Sequence, residues 1–83
     1  MSMQIQVLFF ASYQDLVGTG ETRLRLPVGT TVAGLVVELR GMGGGFVNLP
    51  PIPVTAVNEE YATDDRVLEE GDVVALIPPV AGG

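Results

Sequence analysis

Strongly apolar strand patterns near both ends of the chain, one long helical stripe between them, and strand pairs on either side of that stripe predict an α+β fold. The order strand, strand, helix, strand, short strand, strand needs two hairpins and one crossover. The two apolar terminal strands are then central, adjacent and parallel. This is the β-grasp arrangement: a mixed sheet, one main helix packed on one face, and an extended C-terminal tail. Residues 1–77 form the expected domain and 78–83 the tail.

The first strand is read from Met3 to Phe10, where Ile5, Val7 and Phe9 share one face by period two and Gln4, Gln6, Leu8 and Phe10 the other. The first set is assigned to the core. Ala11 to Val17 places Tyr13, Leu16 and Val17 at helical spacing, and Gly18 follows where a C-cap glycine belongs. After the turn Gly18-Thr19-Gly20, Glu21 to Leu26 alternates Thr22, Leu24 and Leu26 with Arg23 and Arg25, a strand with one wet face hairpinned to the first. Pro27-Val28-Gly29 ends it, and Thr30 or Thr31 caps the main helix, whose Val32, Leu35, Val36 and Leu39 fall at i, i+3, i+4 and i+7.

Between Gly41 and Pro53 periodicity dissolves into glycines and prolines. A loop of that length is either pinned to the body by Phe46, Val47 and Leu49 or is a mobile surface feature. Its glycine run has neither the preceding strand nor the following lysine and hydroxyl residue of a phosphate cradle. Val54 to Val57 is a short strand, Asn58-Glu59-Glu60 a turn, and Tyr61 opens a brief return segment. The acidic turn Glu69-Glu70-Gly71-Asp72 leads into the last strand, Val73 to Ile77.

Composition narrows the function. With 83 residues there is one small domain, close to the size at which a core alone barely suffices. Cysteine and histidine are both absent, which removes disulfides, thiolate sites, the commonest metal ligand and the commonest neutral-pH base. No metal or cofactor site is expected, and self-contained catalysis is not. Ten acidic residues face four basic ones, all arginine, so nucleic acid is repelled. The scattered carboxylates of the turns read as solvation and as attraction for a basic partner. The run Val73 to Val80 is too short to span a bilayer, and the N-terminus lacks a secretory pattern. The expected location is the cytoplasm.

Two features point to a carrier. In Ala75-Leu76-Ile77-Pro78-Pro79-Val80-Ala81-Gly82-Gly83 an apolar strand runs into two prolines, which cannot continue a ladder. Pro78, Pro79, Val80, Ala81 and Gly82 then form a slim uncharged arm ending at Gly83. Extended, Pro78 to Gly83 reaches about 20 Å, enough to deliver the terminal carboxylate of Gly83 into another protein's cleft. The second feature is apolar surface left over. Leu8 and Phe10 turn away from the main helix, and Ala75 and Ile77 on the last strand are expected beside them, an exposed patch at the base of the arm.

The segments Val7-Leu8-Phe9-Phe10-Ala11, Ala56-Val57-Asn58-Glu59-Glu60 and Glu70 through Gly83, with its Gly-Asp turn, apolar strand, Pro-Pro-Val and Gly-Gly, resemble the ubiquitin-like small subunit of molybdopterin synthase from end to end. The resemblance implies a β-grasp sulfur carrier whose C-terminal glycine, here Gly83, is adenylated at the expense of ATP by a ubiquitin-activating-like enzyme and converted to a thiocarboxylate. It implies that the tail enters the large subunit of a heterotetrameric synthase and gives its sulfur to a pterin precursor for dithiolene formation; the patch of Leu8, Phe10, Ala75 and Ile77 is where the strand faces lead that subunit to be expected to grip. The carrier would supply no other catalytic group. Gln14 departs from the basic residue of many members. Carriers of the same fold for thiamine thiazole formation or tRNA thiolation, and ubiquitin-like protein modifiers, also end in Gly-Gly and remain alternatives.

Overall fold

The computed structural model describes residues 1–79; the expectations placed on Val80, Ala81, Gly82 and Gly83 lie outside the described residues. The elements are β1 (Ser2–Phe9), α1 (Ala11–Val17), β2 (Glu21–Pro27), α2 (Val32–Arg40), a 3-10 turn (Gly44–Asn48), β3 (Val54–Val57), β4 (Glu60–Ala62) and β5 (Val73–Ile77). They form a five-stranded sheet in the order β2-β1-β5-β3-β4. β1 and β5 pair in parallel at the centre, and the other pairs are antiparallel. This is the β-grasp fold.

The core lies between one sheet face and α2. Met3, Ile5, Val7 and Phe9 of β1 and Val74 and Leu76 of β5 pack in one cluster with Val32, Leu35 and Leu39 of α2, every one of them buried. The helix begins at Thr31, whose hydroxyl accepts from the Gly34 amide at 3.2 Å. Its first two amides donate to carbonyls of the segment before β5, Val32 to Arg66 at 2.9 Å and Ala33 to Asp64 at 2.8 Å. Donors that a helix leaves orphaned thereby tie 64–68 to the domain, and Leu68 is buried behind them.

β1 ends one residue earlier than the pattern suggested, because Phe10 is the N-cap of α1 and its carbonyl accepts from the Tyr13 amide at 3.0 Å. α1 therefore sits inside the β1–β2 connection. Gly18 closes it with φ 86°, a C-cap conformation open to glycine.

The Gly41–Pro53 stretch is pinned rather than mobile, and it has local structure. Leu49 is buried, and Phe46 packs edge-on against Phe9 with ring centroids 5.7 Å apart. Val47, expected to help hold the loop, is half-exposed and faces away from the core. Gly45 supplies the fit instead: a Cβ there would stand 1.8 Å from the Leu16 carbonyl oxygen, so only glycine lets the 3-10 turn lie against α1.

Candidate functional site

The face of the sheet opposite α2 carries no helix among the described residues, and strand register decides what it displays. Leu8 pairs with Ala75, Ala75 with Ala56, and Ala56 with Tyr61, so these four residues form one row across β1, β5, β3 and β4. Residues opposite one another in a ladder share a face. Ile77 pairs with Val54 in the next row towards the end of β5. Phe10 follows β1 at that same end and is 48% exposed.

Leu8, Phe10, Val73 and Ala75, with Asn58 and Glu59 of the β3–β4 turn, line an open depression of about 420 Å³. The four residues expected at a docking patch thus occupy one face, with Leu8, Phe10 and Ala75 inside the depression and Ile77 beside it in the Val54 row. The long apolar run of β5 left its register open; pairing with β1 settles it, burying Val74 and Leu76 and turning Ala75 and Ile77 outward.

Two residues extend the patch beyond what pattern reading found. Tyr61 is 78% exposed on β4, and Val54 is half-exposed at the start of β3. The two-residue hairpin at Asn58-Glu59 sets the register of β3 against β4 and so places Tyr61 opposite Ala56, but only the antiparallel pairing of β3 with β5 brings Val54 and Tyr61 beside Ala75 and Ile77. Both turn residues have positive φ, 51° at Asn58 and 71° at Glu59, as a type I′ turn requires.

A polar clamp fixes the start of β5 at one end of this surface. The Asn58 amide donates to the Val73 carbonyl at 2.8 Å, and its side-chain oxygen accepts from the Val73 amide at 2.9 Å. Its side-chain nitrogen donates to the buried Asp72 carboxylate at 2.9 Å, and that carboxylate also accepts from the Glu69 amide at 2.8 Å. The backbone amide and both side-chain polar atoms of Asn58 are therefore committed to the fold. At the other end β5 stops at Ile77, where Pro78 is partly buried and Pro79 exposed. Proline has no amide hydrogen for the ladder, so the strand ends where the chemistry requires.

No group of three or more histidine, cysteine, aspartate or glutamate residues is arranged to hold a metal ion among the described residues. Among them, too, no helix is long and apolar enough to cross a membrane. What this surface can do is present apolar area continuous with the end of β5 at Ile77.

Comparison with known proteins agrees with the geometry. The ThiS family model matches residues 7–83. The molybdopterin synthase sulfur carrier subunit of Arabidopsis thaliana is 35% identical over 82 residues, covering 99% of this chain and 85% of that protein. The subunit of the same name from Chlamydomonas reinhardtii is 34% identical over 83 residues, covering 98% of this chain and all of that protein. Among solved structures, a putative molybdopterin converting factor subunit 1 from Pyrococcus furiosus superposes with a TM-score of 0.79 at 30% identity, over 94% of this chain and 99% of that one. On a match that takes in nearly the whole chain, and on relatives that align with it from end to end, this protein belongs to the ThiS family.

Proposed function

We propose that this protein is the sulfur carrier subunit of a molybdopterin synthase, with the C-terminal carboxylate of Gly83 as its working group. The observation that carries the reading is the end-to-end relationship with a protein of that name, at 35% identity over 99% of the chain. Its physical support is a central strand that ends at Ile77, just before Pro78-Pro79, beside an apolar surface that no helix covers among the described residues.

In this reading the Gly83 carboxylate attacks the α-phosphorus of ATP in the active site of an adenylating enzyme, and pyrophosphate leaves. A hydrosulfide-level donor then attacks the acyl carbon and displaces AMP, leaving a thiocarboxylate. Glycine at 82 and 83 has no Cβ to meet the walls of a narrow channel. The domain itself contributes no acid, base or nucleophile. Its part is to dock, through Leu8, Phe10, Ala75 and Ile77, so that Pro78 through Gly83 enters the large subunit. ATP is consumed by the activating enzyme, and the carrier holds no cofactor.

Incubation with the adenylating enzyme, ATP and a sulfur donor should exchange one oxygen for sulfur at Gly83, read by mass spectrometry of the intact chain and of its C-terminal peptide. Adding the large subunit and the pterin precursor should then return the carboxylate and yield the dithiolene product. An unchanged mass with an enzyme that demonstrably activates another carrier defeats the proposal. Recovery of isopeptide conjugates in place of the thiocarboxylate assigns the chain to protein modification.

A further inference from the structure

The turn between β3 and β4 breaks a local rule beside the apolar depression. A type I′ turn strongly favours glycine at its second central position, because an L-residue with a Cβ is strained at positive φ. Here that position is Glu59, at φ 71°. Asparagine precedes it, so glycine would complete the commonest hairpin dipeptide. The fold gains nothing visible from the glutamate: among the described residues its carboxylate makes no hydrogen bond, while Asn58 carries the turn's entire polar clamp. Glu59 nevertheless lines the depression with Leu8, Phe10, Val73 and Ala75, and it is the one ionisable residue in that lining. A strained residue that does no structural work at the lip of an apolar surface marks a contact.

Resting on the reading of the protein as a carrier that docks on a large subunit, we propose that Glu59 is the charge-reading residue of that docking surface. The large subunit presents a lysine or arginine whose aliphatic stem lies along Leu8, Phe10, Val73 and Ala75 and whose cation meets the Glu59 carboxylate. The occupant follows from complementarity on both counts. An apolar floor with one carboxylate at its edge fits a long basic side chain, whose methylenes need cover and whose head needs an acceptor. The net charge of −6 draws such a partner from a distance, and Glu59 gives the encounter its register.

Two variants separate this role from a structural one. Glu59→Gln keeps size and polarity and removes the charge. Its affinity for the large subunit from the same genome, measured by calorimetry at low ionic strength, should fall about tenfold, mostly through a slower on-rate. The gap should narrow as salt approaches 1 M, where screening acts within about 3 Å. Glu59→Gly should raise the urea midpoint of the free protein, because it relieves the turn, and weaken binding at least as much as Glu59→Gln. Binding lost while stability is gained is an outcome that a merely structural glutamate does not produce. Equal affinity of wild type and Glu59→Gln at low salt overturns the inference, as does a loss that is the same at every ionic strength. A wild-type chain that does not bind the large subunit at all defeats the carrier reading itself, a different result from either.

Discussion

Phe9 and Phe10 are neighbours in sequence and opposites in consequence. Phe9 is 2% exposed, packed between β5 and the ring of Phe46, whereas Phe10 is 48% exposed on the uncovered face. Truncating a buried phenylalanine costs ~3–5 kcal/mol, and the edge-to-face pair with Phe46 places Phe9→Ala toward the upper part of that range. A domain of 83 residues has roughly 4–12 kcal/mol of stability in total, at ~0.05–0.15 kcal/mol per residue. Phe9→Ala should therefore remove a third or more of the fold's stability and lower the urea midpoint in proportion. Phe10→Ala should cost the free protein no more than about 1 kcal/mol, since half of its ring is already in water. In complex with the large subunit the same change should lose ~2 kcal/mol, close to thirtyfold in Kd. Urea titrations followed by circular dichroism, paired with calorimetric binding isotherms, read both quantities. A Phe10→Ala protein with wild-type affinity, or one destabilised as much as Phe9→Ala, would refute the assignment of faces.

Gly45→Ala should destabilise by about 2–4 kcal/mol, because a Cβ 1.8 Å from the Leu16 carbonyl forces the 3-10 turn off α1 and exposes Leu49 and Phe46; a urea midpoint within error of wild type would contradict this packing. Asp72→Ala should cost ~1–3 kcal/mol by leaving the Asn58 side-chain nitrogen and the Glu69 amide without their acceptor, and amide exchange at Glu69 and Val73 should accelerate. Burial pushes the Tyr13 phenol up from its ordinary value. Above about pH 10 the unfolded chain releases a proton that the folded chain keeps. The stability contributed by Tyr13 is thus complete below about pH 10 and is lost as pH rises through the folded value, so alkaline melts of Tyr13→Phe should lack that part of the decline seen in wild type.

The elements legible in the sequence are those whose periodicity is local. Ile5, Val7 and Phe9 alternate, Val32, Leu35, Val36 and Leu39 recur at helical spacing, and Pro78-Pro79 marks the end of β5, so the central layers and the base of the arm can be read directly. The Gly41–Pro53 segment resists such reading because its order is borrowed. Gly45 is fixed by a carbonyl twenty-nine positions earlier, and Phe46 by a ring on β1. The candidate site divides in the same way. Leu8 and Phe10 follow from the face assignment of a single strand. Val54 and Tyr61 join them only through the pairing of β3 with β5 and β4, a long-range register that no stretch of four residues encodes.

The placement of β5 also has a mechanical meaning. It is laddered on both sides, parallel to β1 and antiparallel to β3, and the chain continues from its C-terminal end. A tug on residues beyond Pro79, with the body held by its open face, is directed along the strand and across the hydrogen bonds on either flank. Those bonds are strained together in shear and do not open one by one, as they would if the arm sprang from a hairpin end at the sheet's margin. In the proposed carrier role, a tail seated in the large subunit should then be drawn out under force while the domain keeps its shape, and single-molecule pulling through the C-terminus should show that resistance as one high, abrupt rupture.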